Sequence, residues 1–379
     1  MTDRAAGASP PPAPGRGGSP LAGLRVVDCS EGIAGALASR LLGDLGADVV
    51  LVEPRGARRI GAPGRRAAGG DPDAGGLHLA LDAGKRSWAL DARDPGETER
   101  LAALAAAADL LVEDRGRAAM AEAGLGYETL SAANPALVYA SHSPFGEEGP
   151  YAGRLSSEIV DYAMGGWMYL CGDPGKPPLL VPGRQSELHA GAQLATGALA
   201  ALWESRRSGR GQHVEVTTFE ASISSHLFVI SEWTQEGAVH RRVGTTVLPC
   251  SDGHLLVTSL NRAVFSLLGE PERASDPAIA TPEGWSAAQP EVLARLAVWA
   301  QPLVREEIYR RAQEARVTGL TPIAVTGELL ESPQHEARDW WLDVGGAAGR
   351  LRIPGPPWRM SRSAVGPRVR APTRGEHTG

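Results

Sequence analysis

Carboxylates, a histidine and a run of arginines are the side chains in this 379-residue chain whose settings could do chemistry. Glu187 lies in Arg184-Gln185-Ser186-Glu187-Leu188-His189, just before a stretch rich in alanine and leucine. An acid there suits the positive end of a helix dipole, and a carboxylate can also attack a carbonyl carbon. Glu158 follows Ser156-Ser157 at another helix entrance, where either serine can cap the helix and leave Glu158 as a first-turn acid. His142, in Ser141-His142-Ser143, ends an apolar run at a probable ligand edge; a lone histidine is more often structural than catalytic. Arg55, Arg58, Arg59, Arg65 and Arg66 crowd a Gly- and Pro-rich stretch. That stretch reads either as a solvated loop or as a cover for the phosphates of an anionic ligand.

These residues need a scaffold, and its start is readable. Residues 24–28 are an apolar run ending in Asp28, a buried strand. Ser30-Glu31-Gly32 makes the turn, with Ser30 or Glu31 at the helix cap. Leu37, Leu41, Leu42 and Leu45 recur at three- and four-residue steps, which predicts a helix over 34–45. Residues 49–52, closing on Glu53-Pro54, are a second strand. Strand, helix and strand make a βαβ unit, whose strands run parallel because a helix crosses between them. Further strands read at 85–91, 110–113, 137–141 and 214–217, with helices at 94–107, 158–170, 189–207 and 219–234.

From about Arg241 the character changes. A hairpin turns at Asp252-Gly253, and helices follow near 263–269, 290–300 and 304–316. A smaller domain is therefore placed at 240–335, beside a large domain of 20–239 and 336–379. Residues 1–19 are mostly Pro, Gly, Ala and Ser, too poor in apolar surface to offset their ordering entropy, and read as a disordered leader.

Composition narrows the function. A net charge of −6 argues against a nucleic-acid partner, which needs a concentrated basic face. Cys29, Cys171 and Cys250 lie far apart and match no zinc spacing, so no metal is expected. No apolar run is long enough for a membrane span and no secretion signal is visible, which leaves the cytoplasm as the expected location. Glu53 stands where an acid could hold a ribose, but the first turn, Glu31-Gly32-Ile33-Ala34-Gly35-Ala36, lacks the three-glycine spacing of a dinucleotide site.

An ordered series of phrases adds what periodicity cannot. It runs from Pro20-Leu21-Ala22-Gly23-Leu24-Arg25-Val26-Val27-Asp28 through Ala34-Gly35 and Leu45-Gly46-Ala47-Asp48 to Val52-Glu53-Pro54. It continues through Gly84-Lys85-Arg86-Ser87, Asn134-Pro135, Gly149-Pro150-Tyr151, Ser208-Gly209-Arg210-Gly211-Gln212 and the closing Gly375-Glu376-His377-Thr378. The series resembles the family III (CaiB/BaiF) CoA-transferases over roughly residues 20–378.

The resemblance implies an α/β protein with a Rossmann-like large domain and parallel sheet, a smaller α+β domain, and an interlocked homodimer. It implies an enzyme that moves CoA between an acyl-CoA and a carboxylic acid through a carboxylate-bound intermediate. The family's nucleophilic aspartate falls on Glu187, with Glu158 in a supporting role. Ala34, Gly35, Arg55, Lys85 and Arg86 would line the CoA site. Related racemases carry a histidine about thirty residues before the Glu158 position; here Tyr127, Glu128 and Thr129 occupy it, which argues against racemisation. Asp114, Glu122 and Ala36 also depart from the family pattern. Together with Glu187 they keep open a second reading, a catalytically silent homologue that binds acyl-CoA or partners an active paralogue.

Overall fold

Six short strands form one parallel sheet in the computed structural model, which describes residues 18–55, 75–91, 94–242, 244, 246–346, 349–367 and 369–378. Most of the expected leader, and Arg58, Arg59, Arg65 and Arg66, lie outside the described residues. The strands are β1 (Arg25–Asp28), β2 (Asp48–Pro54), β3 (Arg86–Leu90), β4 (Leu110–Glu113), β5 (Val138–Ser143) and β6 (His213–Thr217). Their spatial order is β3-β2-β1-β4-β5-β6, every pair parallel. Val26 in β1 stands beside Val49 of β2 on one side and Leu110 of β4 on the other. Such strands read as nearly unbroken apolar runs because helices cover both faces.

The helices of this part are α1 (Ile33–Asp44), α2 (Gly76–Leu81), α3 (Pro95–Ala106), α4 (Arg117–Glu122) and α5 (Tyr127–Ala133). They continue with α6 (Glu158–Met164), α7 (Trp167–Leu170), α8 (Gln185–Ser208), α9 (Thr218–Ser224) and α10 (Leu227–Glu236). On one face Val26, Leu110 and Val138 pack against Ala38 and Leu42 of α1 and Leu194, Ala198 and Leu202 of α8. On the other, Val27, Leu111 and Tyr139 meet Leu101 of α3, Met120 of α4 and Leu130 of α5.

Three helices of this part depart from the expected bounds. The span 158–170 is two helices, split where Gly166 takes a φ of +86° that other residues rarely adopt. The span 219–234 is also two, interrupted at Ser225-His226. The helix expected at 189 starts at Gln185, because Arg184 adopts a left-handed φ of 58° and launches it early.

The last residues protect the sheet. His377 N–H donates to the Ser87 carbonyl at 2.9 Å, and Ala89 N–H donates to Thr378 Oγ1 at 3.0 Å. The closing Gly375-Glu376-His377-Thr378 thus lies along the outer edge of β3, a place where unpaired strand groups invite aggregation.

The chain divides into two compact units, one of Met1–Cys171, Leu179–His240 and Glu336–Gly379, the other of Gly172–Pro178 and Arg241–His335. The second holds an antiparallel sheet of β7 (Thr246–Cys250), β8 (Gly253–Val257) and β9 (Leu320–Pro322). Phe265, Leu255, Leu296 and Ile308 fill its core. Its long helix, Pro282–Ala300, begins eight residues before the expected start at Pro290; Thr281 Oγ1 caps it by accepting the Gly284 N–H at 3.1 Å. Among the described residues no helix is long and apolar enough to cross a membrane.

Candidate active site

A parallel sheet binds ligands beyond the carboxyl ends of its strands, where the strand order reverses. Here that point lies between β1 and β4, and α1 begins there. Neither Ser30 nor Glu31 caps α1. Asp114, just past β4, does so instead: its two carboxylate oxygens accept the N–H groups of Glu31 and Gly32, both at 2.7 Å.

Burial pushes the Asp114 carboxyl up to about 6, against those two hydrogen bonds. Burial likewise pushes its neighbour Glu113 up to about 7, against N–H donors from Gly116 and Arg115. A carboxyl whose native value is raised binds its proton more tightly folded than unfolded, so stability grows as pH falls through the raised value. The wild type should therefore gain stability between pH 8 and pH 5, on the order of 1 kcal/mol or more per carboxyl. Thermal melts of a Glu113→Gln/Asp114→Asn variant should show that gain removed; a wild-type-minus-variant difference that stays flat with pH would refute it.

Two further carboxylates meet where α6 and α8 begin. Glu158 opens α6 and is buried; its Oε1 accepts the Ser186 N–H at 3.3 Å and its Oε2 accepts the Ser186 hydroxyl. Glu187, the next residue along α8, is bound by Arg184 Nε. Arg184 takes a left-handed φ of 58° immediately before α8. A non-glycine residue held in that region is strained by about 1–3 kcal/mol, and such strain concentrates at functional sites. Asp161 stands one turn beyond Glu158; burial raises its carboxyl, the Ser156 hydroxyl bond works against that, and repulsion from Glu187 and Glu158 adds to it. Arg184 is raised chiefly by its bond to Glu187, with the nearby charges of Glu158 and Asp161 adding to it. Asp161 was not singled out from the sequence, although its three-residue step from Glu158 places the two on one helix face.

Glycine sets how closely this cluster approaches α1. Gly191 lies one turn past Glu187, and a methyl group there would stand 2.6 Å from the Ala34 carbonyl oxygen. Its bare backbone lets α8 press onto α1, which brings the Glu187 turn close to Ala34 and Gly35. Gly35 in turn is packed so that a side chain would overlap Ser30.

The expected cations are scattered. Lys85 is buried, its ammonium donating to Asp28 at 2.9 Å, Asp82 at 2.6 Å and the Ala36 carbonyl at 3.0 Å. Arg86 forks onto Asp48, and both open their strands, at the sheet edge opposite the carboxyl ends. Arg55 does follow the carboxyl end of β2, where it pairs with Glu97 at 2.7 Å. Arg115 lies near the α1 turn, 3.5 Å from Glu31, and was missed because a single exposed arginine carries no pattern. His142 bonds Thr218 Oγ1 at 2.8 Å, and burial pushes it down to about 4, leaving a neutral, structural ring at pH 7. Among the described residues, no group of three or more His, Cys, Asp or Glu is placed to hold a metal ion.

The model of CoA-transferase family III matches residues 21–378. The chain belongs to that family. It is 30% identical to succinyl-CoA:mesaconate CoA-transferase of Haloarcula hispanica, over 93% of each chain. It is 29% identical to succinate–glutarate CoA-transferase of Agrobacterium fabrum, over 94% of each. The crystal structure of a CAIB/BAIF family protein from Brucella suis superposes with a TM-score of 0.83 at 27% identity, covering 96% of this chain and 98% of that one. The fold and ordered phrases of this family III chain therefore agree, and its carboxylate cluster sits where α6 and α8 begin.

Proposed function

We propose that this protein transfers CoA from an acyl-CoA to a carboxylic acid, with the Glu158–Ser186–Glu187 cluster as the chemical centre. The observation that carries the reading is the buried Glu158 carboxylate held by two donors from one residue, directly beside the Glu187–Arg184 pair. The resemblance put the attack on Glu187. Ion pairing favours the opposite assignment, because acylation of Glu187 would break its contact with Arg184. Glu158 is the more desolvated carboxylate, and a desolvated anion gains more by becoming a neutral acyl group. Glu187 stays as the second reading, favoured by its greater exposure, 18% of its side chain.

In the first step a Glu158 oxygen adds to the thioester carbon; the C–S bond breaks and CoA leaves as thiolate, giving a mixed anhydride. The thiolate adds to the glutamyl carbon and expels the first acid as its carboxylate, leaving a glutamyl-CoA thioester. The acceptor carboxylate displaces the thiolate to form a second anhydride. Thiolate attack on the acceptor's acyl carbon then releases the new acyl-CoA and restores Glu158. Each step splits the transfer into easier displacements.

Arg55, beside Glu97 past β2, and Arg115, beside Glu31 at the α1 turn, are the cations proposed to meet the CoA phosphates. Small dicarboxylic acids, the class named for the relatives, form the acceptor panel. A homodimer, proposed to work in the cytoplasm, would cover an apolar surface: α10 buries no residue, yet carries Leu227, Phe228 and Trp233, each more than half exposed. The deciding experiment is peptide mass mapping after incubation with succinyl-CoA and hydroxylamine. Modification at Glu158 is expected. Modification at Glu187 would exchange the two roles, and an untouched protein that still binds CoA would point to the silent homologue.

A further inference from the structure

Arg374 has no part in the steps above, yet its guanidinium stands at the carboxyl end of the sheet. Its Nη1 donates to the Pro54 carbonyl at 3.3 Å, 320 residues away in sequence. Pro54 ends β2, where it is paired with Leu90 at the end of β3. Arg55 comes next, its side chain half exposed and its Nη2 on Glu97 at 2.7 Å. Glu97 in turn accepts the Asp91 N–H at 2.6 Å, just past β3. Two guanidiniums from distant parts of the chain are thus tied to one rim, the rim where a parallel sheet takes its ligands.

The closing segment of the chain pins the backbone from which Arg374 reaches. Gly375 N–H donates to Ser87 Oγ at 2.8 Å, and Ser87 N–H donates to His377 Nδ1 at 3.2 Å. Gly375 takes a φ of +70°, and a side chain there would stand 3.0 Å from the Ala89 Cβ, so a bare backbone is what lets the segment lie this close to β3. Glu376 turns to Arg370, which forks onto its two oxygens at 2.9 Å each.

We infer that Arg374 is a further residue of the CoA site and, with Arg55, grips the 3′-phosphate of CoA; this rests on the CoA-transfer reading, whichever carboxylate attacks. A phosphate monoester carries close to two negative charges and three acceptor oxygens, which suit two planar guanidinium forks. Position selects the 3′-phosphate over the pyrophosphate. In the order β3-β2-β1-β4, Arg115 follows β4 and Arg55 follows β2. Two strand spacings, about 10 Å, therefore carry Arg55 and Arg374 outward from Arg115 toward the β3 edge. The carboxylates lie on the other side, at the start of α8, which packs over β5 and β6. The 3′-phosphate is likewise the phosphate most remote from the thioester sulfur.

Dephospho-CoA lacks that phosphate alone and gives the test. In calorimetric titrations at low salt the wild type should bind CoA at least about tenfold tighter than dephospho-CoA, the worth of one charge-assisted hydrogen bond. Arg374→Gln keeps an N–H donor for the Pro54 carbonyl and removes the charge. It should weaken CoA at least about fivefold and dephospho-CoA by less than about twofold. Arg374→Lys, which keeps the charge but loses the fork, serves if the glutamine variant does not fold, with a loss of about threefold for CoA alone. A preference for CoA that stays at the wild-type level in either folded variant, or an equal weakening of both ligands, would overturn the role of Arg374. So would a wild type that binds the two ligands alike. A wild type that binds neither would sink the CoA-transfer reading itself, and is seen before any variant is compared.

Discussion

Glu158→Gln should leave CoA transfer at least about 10³-fold below wild type, while Glu187→Gln should lose no more than about a hundredfold. The amide of the first variant cannot form the anhydride, yet its oxygen still accepts from Ser186, so the start of α6 should stay in place. The second variant removes the anion facing Arg184 but leaves Glu158 with both its Ser186 donors and Asp161 with its Ser156 bond. Its loss should therefore be one of placement. A displacement of the order of 1 Å near a reacting carbon can alone cost about a hundredfold, which sets that ceiling. Steady-state kinetics with succinyl-CoA and a dicarboxylate panel give the comparison. The reverse ranking, with Glu187→Gln the dead variant, would return the nucleophile to the place the resemblance gave it.

How much of this could be read from residues alone depends on how local each feature is. The β1–α1–β2 unit was legible because Val26-Val27 and the leucines of α1 carry their own periodicity, and the observed bounds differ from the expected ones by about one residue or two. The cap of α1 was not, since it comes from Asp114, 82 residues from the Gly32 it binds. Three- and four-residue steps could not show the early start of α8 either. It follows from a positive φ at an arginine, a conformation that side-chain type does not announce.

The same distinction separates the cations. Arg86 and Lys85 stand side by side in one phrase, but Arg86 opens β3 while Lys85 precedes it in the turn after α2. Arg86 emerges toward Asp48, and Lys85 sinks toward Asp28, 57 residues away in sequence. A lysine in a motif reads as a phosphate ligand; only the fold supplies the two acids that neutralise it.

Lys85→Met should consequently damage stability rather than CoA affinity. Its ammonium is shared by Asp28 and Asp82, both almost wholly buried, and Asp82 is also bonded to His78 at 2.6 Å. Burial works to raise the Asp82 carboxyl, but the Lys85 charge and the His78 contact outweigh it and hold it down to about 2. For Lys85 burial works downward, and the two aspartates more than reverse it. Removing one partner of such a pair strands the other charges and costs about 3–5 kcal/mol. The pH dependence follows from the direction of each shift. The depressed Asp82 gives the wild type stability that is present above the ordinary carboxylate range, near 4, and is lost as pH falls toward 2. In Lys85→Met, Asp82 loses the charge that offsets its burial and favours its neutral form, so the variant's deficit should be widest at pH 8 and narrow toward pH 5. Adding Asp28→Asn and Asp82→Asn should recover part of the lost melting temperature by removing the stranded charge. Calorimetric titration of CoA into folded Lys85→Met at low temperature should give the wild-type affinity; a large loss of affinity with an unchanged melting curve would make Lys85 a ligand residue after all.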